Sequence, residues 1–252
     1  MKVIEDIYYT KEKHEMKMLD IYLPEAKAFP VFVYFHGGGI RSGSRKDYVF
    51  FSQLAEKGIA VVSAEYRLYP EASYPEFLKD AAAAVAWVHN NMSEYGEVKG
   101  IFVGGSSAGG YLTQMLCFDK KYLGIYEIDA DSIDGYIMDA GQPTVHFNIL
   151  EERGIDSRRV IIDEAAPIFH INGERNYPKM LIIVADNDME NRYEQNLLMA
   201  STLKHFGFEE KVNFKLMENH GHCEYIKELN DKGESVFAGM VYEFISKVTE
   251  EK

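Results

Sequence analysis

Cysteine, tryptophan and basic residues are all scarce in this sequence. Its 252 residues include two cysteines and one tryptophan, and 27 lysines and arginines stand against 40 aspartates and glutamates, a net charge of −13. The two cysteines, Cys117 and Cys223, have neither the spacing of a disulfide framework nor that of paired metal ligands. An acidic surface repels phosphate backbones. We therefore expect a reducing compartment and no nucleic-acid partner.

Long apolar runs are also absent. The longest, such as Ala81–Val88 and Leu181–Ala185, fall well short of the roughly 20 residues that span a bilayer as a helix. The first 17 residues lack the apolar core of a secretory signal. We expect a cytoplasmic protein with no membrane partner.

The apolar residues that are present form short runs separated by helical patterns. Hydrophobic residues make up 46% of the chain, enough for one globular domain over residues 1–252. Buried strands are predicted at Phe29–Phe35, Ile59–Ala64, Ile101–Val103, Tyr136–Met138 and Met180–Ala185. A more exposed last strand is predicted at Lys211–Met217 and an antiparallel one at Met16–Pro24. Helices are predicted at Tyr48–Lys57, Pro75–Met92, Gly110–Phe118, Tyr193–Phe206 and Gly233–Lys247.

Strands that alternate with helices in this way predict an α/β fold, a mainly parallel sheet with helices on both faces. The segment 142–177 breaks the pattern, because it is polar, mixed and interrupted by prolines. It is either a partial lid over a site or a plain surface insertion.

The stretch "IFVGGSSAGGYL" (101–112) fits the pattern G-x-S-x-G in one frame only, with Ser107 at its centre. The pattern belongs to the nucleophile elbow, a strained turn between a buried strand and a helix with an exposed serine hydroxyl. Small residues are needed on both sides, because strand and helix backbones nearly touch there. Ser106 then has a structural role. The alternative is an ordinary Gly/Ser loop.

A second glycine run, "FHGGGIRSG" (35–43), directly follows an earlier predicted strand. Three consecutive glycines allow a backbone to approach a ligand and leave N–H groups pointing outward. Such groups, with the N–H of Ala108 after the elbow serine, would stabilise a developing oxyanion. The order of the two motifs favours nucleophilic catalysis.

His36-Gly37-Gly38-Gly39 followed by Gly105–Gly110 resembles the α/β-hydrolase superfamily, and within it the esterases and lipases related to hormone-sensitive lipase and small acetyl esterases. "EYRLYPEASYP" (65–75) resembles a further segment of that branch. The resemblance runs from about residue 18 to the C-terminus and implies the α/β-hydrolase fold. Many members have a long N-terminal lid, whereas His36 comes early here, so we expect a relatively open site.

In such folds the triad order is Ser, then Asp or Glu, then His. Asp186, Asp188 and Glu190 compete for the acid; counting from the strand end as in related esterases favours Asp188, with Asp186 next. His220 and His222 compete for the base, and the adjacent "CEY" favours His222 by alignment with relatives. A metal site on the H-x-H pair lacks further ligands in a recognisable spacing.

The resemblance thus implies a serine carboxylesterase in which Ser107, Asp188 and His222 are catalytic and Gly38, Gly39 and Ala108 form the oxyanion hole. It implies no cofactor and no metal. The expected partner is a small-molecule ester with a short acyl group, plausibly the acetyl ester of a small alcohol or sugar. An amide or formamide hydrolase with the same triad and a non-catalytic binder are the alternatives. The sequence leaves homo-oligomer formation open.

Overall fold

The computed structural model describes residues 1–46 and 48–251, and its centre is an eight-stranded sheet. The strands are β1 (Lys2–Tyr8), β2 (Met18–Leu23), β3 (Ala28–Phe35), β4 (Ala60–Ala64), β5 (Glu97–Ser106), β6 (Gly135–Asp139), β7 (Lys179–Asn187) and β8 (Val212–Gly221). Their order across the sheet is β1-β2-β4-β3-β5-β6-β7-β8. β1 pairs antiparallel with β2, and β2 pairs antiparallel with β4. The remaining pairs, β4-β3, β3-β5, β5-β6, β6-β7 and β7-β8, are parallel.

The helices are α1 (Phe50–Glu56), α2 (Glu76–Asn91), α3 (Ala108–Phe118), α4 (Lys121–Gly124), α5 (Phe147–Glu152), α6 (Arg192–His205) and α7 (Val236–Glu250). They cover both faces of the sheet. Side chains of α2, α3 and α6 share one hydrophobic cluster, and those of α1 and α7 share the other. A parallel sheet needs this double cover, because its strands are apolar on both sides.

Strand β3 shows how the sequence divides between the two clusters. Val31, Val33 and Phe35 face the cluster of α2 and α3, whereas Phe32 and Tyr34 face that of α1 and α7. Successive side chains of a strand point to opposite faces. An uninterrupted run of large apolar residues is therefore what a strand buried on both sides requires.

The predicted α/β class and the predicted strands and helices are confirmed, with small differences at their ends. β5 continues to Ser106 and β7 to Asn187, beyond the apolar runs that predicted them. β1 was not predicted. Its residues alternate poorly and are mostly exposed, because it forms the sheet edge beside β2.

Segment 142–177 contains α5 and a 3-10 turn at Pro167–His170. Several of its residues, including Val145 and Leu150, are buried in the main cluster, so the segment packs on the domain. Trp87 is partly buried and packs against the same cluster. Among the described residues, none of the helices has the length and apolar content needed to cross a membrane.

The junction of β5 and α3 is unusually tight. A Cβ atom at Gly109 would lie 1.9 Å from the carbonyl oxygen of Phe35, and one at Gly105 would lie 2.6 Å from the backbone of Gly109. Both distances are impossible for a real side chain. The two glycines that flank Ser107 in the motif are thus required by the approach of α3 to β3 and β5.

Candidate active site

The candidate side chains lie at the carboxyl edge of the parallel strands. Ser107, Asp188 and His222 are each the first residue after a strand, namely β5, β7 and β8. His36 occupies the same position after β3. Parallel strands end at a common edge, and this edge is where open α/β sheets bind ligands. Residues more than 100 positions apart in the chain therefore meet in space.

Ser107, His222 and Asp188 form one chain of hydrogen bonds. His222 Nε2 lies 2.8 Å from Ser107 Oγ, and His222 Nδ1 lies 2.5 Å from Asp188 Oδ1. With the Nδ1 proton donated to Asp188, Nε2 is free to accept the serine hydroxyl proton. The Asp188 side chain is fully buried, whereas that of His222 is 25% exposed. The arrangement can deprotonate Ser107 at a point that solvent and substrate reach.

The backbone of Ser107 has the strain expected at an elbow. Its φ of 55° and ψ of −112° are unfavourable for a residue with a side chain. Its N–H donates to the Asp139 carbonyl oxygen at 2.8 Å, and its carbonyl accepts from Tyr111 at 3.0 Å. These two hydrogen bonds fix the backbone of the turn. Ser107 itself is half-buried.

The competing residues have other contacts. Asp186 is exposed and accepts from the backbone N–H groups of Asn219 and His220, so it ties the β7 end to the β8 end. His220 lies 2.7 Å from Glu228 through Nε2 and contacts the Glu218 carbonyl through Nδ1. Glu190 is exposed on the loop after β7. The structure therefore joins Asp188 and His222 to Ser107 by hydrogen bonds. Asp186 and His220 lie outside this series of hydrogen bonds.

The glycine loop after β3 lies directly against Ser107. A Cβ atom at Gly37 would lie 3.3 Å from the Cβ of Ser107. Gly38 and Gly39 have φ values of 107° and 63°, which favour glycine, and the Gly38 carbonyl accepts from Arg41 and Ser42. Within the described part of the chain, the N–H groups of Gly38 and Gly39 donate to no other protein group. Ala108 begins α3, so its N–H has no acceptor inside the helix.

A buried polar network holds this loop. His36 Nε2 lies 2.9 Å from Glu65 Oε1, and the His36 ring stacks on Tyr66 with centroids 4.5 Å apart. The Tyr66 hydroxyl donates to the His36 carbonyl, and Arg45 donates to Glu65 through both backbone and side chain. Glu65 and Tyr66 belong to the segment "EYRLYPEASYP". Farther along it, Arg67 donates to Asp80 at 2.7 Å, so Asp80 braces the segment.

Segment 142–177 reaches the same loop. The Phe147 ring lies 3.1 Å from the Cβ position of Gly39, and Arg41 donates to Asn148 at 2.5 Å. His146 is buried and accepts from the backbone of Asn148 at the start of α5. His170 contacts the Glu164 carbonyl oxygen. Both histidines thus make hydrogen bonds to backbone groups of their own segment.

Sequence reasoning missed Asp139, the last residue of β6. Its carboxylate is fully buried and accepts the hydroxyl of Tyr225. Burial raises the pKa of Asp139 to about 6, although hydrogen bonds from Ser106 and Tyr225 favour the charged form. The sequence feature that could have indicated it is a charged residue at the end of an otherwise apolar strand, "YIMD".

Comparisons with known proteins agree with this geometry. The BD-FAE family model matches residues 19–134. A solved structure of a truncated carbohydrate esterase from gut microbiota superimposes with a TM-score of 0.77 over 99% of this chain and 97% of that one, at 18% identity. The sheet order, the elbow and this superposition agree. The chain has the α/β-hydrolase fold.

Two curated relatives of this chain are esterases by name. "Probable carboxylesterase 7" of Arabidopsis thaliana is 27% identical over 97% of this chain and 87% of its own length. Carboxylic ester hydrolase LipN of Mycobacterium tuberculosis is 39% identical over 36% of this chain. The match spans only 25% of the length of LipN.

The network around His36 gives a testable expectation for stability. Burial raises the pKa of Glu65, but hydrogen bonds from His36 and Arg45 outweigh it and leave the pKa below its usual value of 4.5. The folded state therefore gains stability from ionised Glu65 above that value and loses it as pH falls further. Glu65→Gln should lower the free energy of unfolding by about 3 kcal/mol at pH 7. The difference in the free energy of unfolding between the variant and wild type should be smaller at pH 4, as measured by urea denaturation.

Glu94→Gln is the matched control, since Glu94 is exposed. It should leave stability unchanged at both pH values. Equal stability of the two variants at pH 7 would contradict the role given to Glu65.

Proposed function

We propose that the protein is a serine carboxylesterase in which Ser107 is the nucleophile, His222 the general base and Asp188 the residue that orients it. The observation that carries this proposal is the continuous hydrogen-bond chain from Ser107 Oγ through His222 to Asp188. A nucleophile in contact with a base, and a base in contact with a third orienting group, is the arrangement that activates a hydroxyl.

The reaction begins with attack of Ser107 Oγ on the acyl carbon of the ester. His222 Nε2 takes the hydroxyl proton during this step, and buried Asp188 stabilises the imidazolium that results. The tetrahedral intermediate collapses when His222 returns the proton to the leaving alcohol, which leaves an acyl group on Ser107. Water, activated by the same imidazole, then attacks the acyl carbon and releases the acid.

The negative charge on the carbonyl oxygen requires donors fixed in advance. We assign this task to the N–H groups of Gly38, Gly39 and Ala108. The N–H groups of the two glycines donate to no other group among residues 1–46 and 48–251. This observation, the contact of the loop with the elbow through Gly37, and the position of Ala108 at the start of α3 support the assignment. The helix dipole of α3 adds to the stabilisation of an anion at this point.

Matched variants test the assignment of the triad. Ser107→Ala and His222→Ala should each lower kcat for 4-nitrophenyl acetate by about 10³-fold or more, and Asp188→Asn by about 10²-fold or more. His220→Ala and Asp186→Asn should retain at least a third of wild-type kcat, because their side chains lie outside the hydrogen-bond chain. Labelling by a fluorophosphonate should disappear in Ser107→Ala.

Retained labelling in Ser107→Ala would contradict the nucleophile. A larger loss of kcat in His220→Ala than in His222→Ala would contradict the base. Wild-type protein without turnover or labelling would favour a non-catalytic binder.

For the substrate, we propose a short-chain ester, plausibly an acetyl ester, of a small alcohol or sugar. A cavity of about 430 Å³ between segment 142–177 and the loop after β7 supports this proposal. Its walls include Phe147, which contacts the Gly39 position, and Met189, which follows Asp188. Amide and guanidinium groups of Gln142, Asn191 and Arg159 also line it and would hydrogen bond to hydroxyl groups.

We also propose that residues 1–252 act as one catalytic domain and that segment 142–177 is a partial lid. The contact of Phe147 with the glycine loop and the Arg41–Asn148 hydrogen bond support the lid. Both cysteines are free thiols, which suits a cytoplasmic setting.

A substrate panel tests the specificity. kcat/KM for 4-nitrophenyl esters should fall by at least tenfold from acetate to octanoate, and acetylated monosaccharides should release acetate in a Ser107-dependent manner. An N-formyl aromatic amine serves as the amide comparison and should be cleaved at least 100-fold more slowly than the acetate. Preference for octanoate, or for the formamide, would contradict the proposed substrate class while leaving the triad intact.

A further inference from the structure

Asp139 is a buried carboxylate at the centre of the site that the proposed reaction does not use. It ends β6, the strand between the elbow strand β5 and the acid strand β7. Its side chain is fully buried, and its backbone carbonyl accepts the N–H of Ser107. The residue thus lies immediately behind the nucleophile, opposite the solvent side.

On one side, the Asp139 carboxylate contacts the segment that follows His222. Oδ1 accepts the hydroxyl of Tyr225, and Oδ2 lies 4.0 Å from Cys223 Sγ. Cys223 Sγ in turn lies 3.8 Å from His222 Nε2, the nitrogen that contacts Ser107. Cys223 has a φ of 58°, so the chain bends sharply as it leaves His222. Asp139 therefore holds the bend that sets the position of the imidazole.

On the other side, the carboxylate contacts the elbow. Ser106 pairs with Asp139 across β5 and β6, and its side chain lowers the pKa of the carboxyl group. The Tyr34 hydroxyl donates to Ser106 Oγ at 2.9 Å, which leaves the Ser106 proton free for Asp139. Ser106 thus has a structural role, as its place beside the nucleophile predicts.

The charges that face Asp139 come from several elements. Burial raises its pKa to about 6, while hydrogen bonds from Ser106 and Tyr225 and the charge of His222 favour ionisation and the charge of Asp188 opposes it. Tyr34, on β3, and Cys223 also face it, and burial raises the pKa of both groups well above the usual values. Both therefore stay protonated near neutral pH. Arg192, on α6, donates to the carbonyl oxygen of Ala140, the next residue.

We propose that Asp139 is a positioning residue for His222, a second buried carboxylate that holds the imidazole through Tyr225 and Cys223 and supports its protonated form during catalysis. This inference rests on the proposed triad. Asp188 contacts the Nδ1 side of the ring, whereas Asp139 lies on the Nε2 side, behind Ser107. The positive charge that forms on His222 when Ser107 attacks is then flanked by two anions in a site of low dielectric.

Ionised Asp139 lowers the stability of the folded protein, which a purely structural contact would not be expected to do. The folded-state pKa of about 6 exceeds the usual 3.8, so the folded protein binds the Asp139 proton more tightly than the unfolded chain. Stability from this group is present below pH 3.8 and falls as pH rises towards 6. Replacing Asp139 by a neutral side chain of the same shape should therefore change stability, relative to wild type, more favourably at pH 8 than at pH 5. The same replacement should lower the rate of catalysis.

Asp139→Asn tests the proposal with 4-nitrophenyl acetate as the substrate. We expect kcat to fall about tenfold, the size of one hydrogen bond to a charged group, with little change in KM. The acid limb of the kcat/KM profile should move to lower pH, because one anion beside the imidazole is gone. The difference in Tm between variant and wild type should be more positive at pH 8 than at pH 5.

Tyr225→Phe provides an independent variant, and it serves alone if Asp139→Asn does not fold. It removes the donor that favours ionised Asp139, so the carboxyl keeps its proton to higher pH. The acid limb should then move to lower pH, in the same direction as in Asp139→Asn but by a smaller amount, because the anion beside the imidazole is lost over only part of the pH range. Asp134→Asn is the matched control, since Asp134 precedes the other end of β6 and accepts from the backbone of Ile101. It should leave kcat and the profile unchanged.

An acid limb that stays at the wild-type position in both variants would overturn the proposal, whatever the change in kcat. So would a kcat for Asp139→Asn equal to that of wild type. Loss of the proposed esterase function is a separate result, seen as an inactive wild-type protein.

Discussion

The contact between the amino end of α3 and the carboxyl end of β3 is the constraint on which the rest of the site depends. Gly109 lies so close to the Phe35 carbonyl that no side chain fits between them. This approach forces the chain to turn sharply at Ser107, with its positive φ. It also brings the glycine loop after β3 against the same residue. The proposed nucleophile and the proposed oxyanion donors are thus fixed by one backbone contact.

Buried negative charge is the second feature of the site. Glu65, Asp139 and Asp188 have side chains that are nearly or fully inaccessible, in a protein whose net charge is already −13. Each has its own donors: His36 and Arg45 for Glu65, Ser106 and Tyr225 for Asp139, and His222 for Asp188. Glu65 has an arginine as an ion-pair partner. The other two carboxylates carry a desolvation cost that packing elsewhere must offset, as is common where function and stability compete.

Most of the fold could be predicted, because its strands are apolar runs of the right length between helical patterns. The reading frame of G-x-S-x-G selected Ser107, and resemblance to relatives selected Asp188 and His222, the residues that the structure joins to it by hydrogen bonds. Their catalytic roles remain a proposal. β1 was missed because an exposed edge strand has little hydrophobic pattern. Asp139 was missed because its partners, Ser106 and Tyr225, are 33 and 86 positions away, and only the folded sheet brings them together.

The roles of Ser107 and the glycine loop are tested most directly by a crystal structure of the protein after reaction with an alkyl phosphonate, a mimic of the tetrahedral intermediate. The account predicts phosphorus bonded to Ser107 Oγ, with the phosphoryl oxygen within about 3 Å of the backbone nitrogens of Gly38, Gly39 and Ala108. Phosphorus on any other side chain, or a phosphoryl oxygen directed away from these nitrogens, would contradict it.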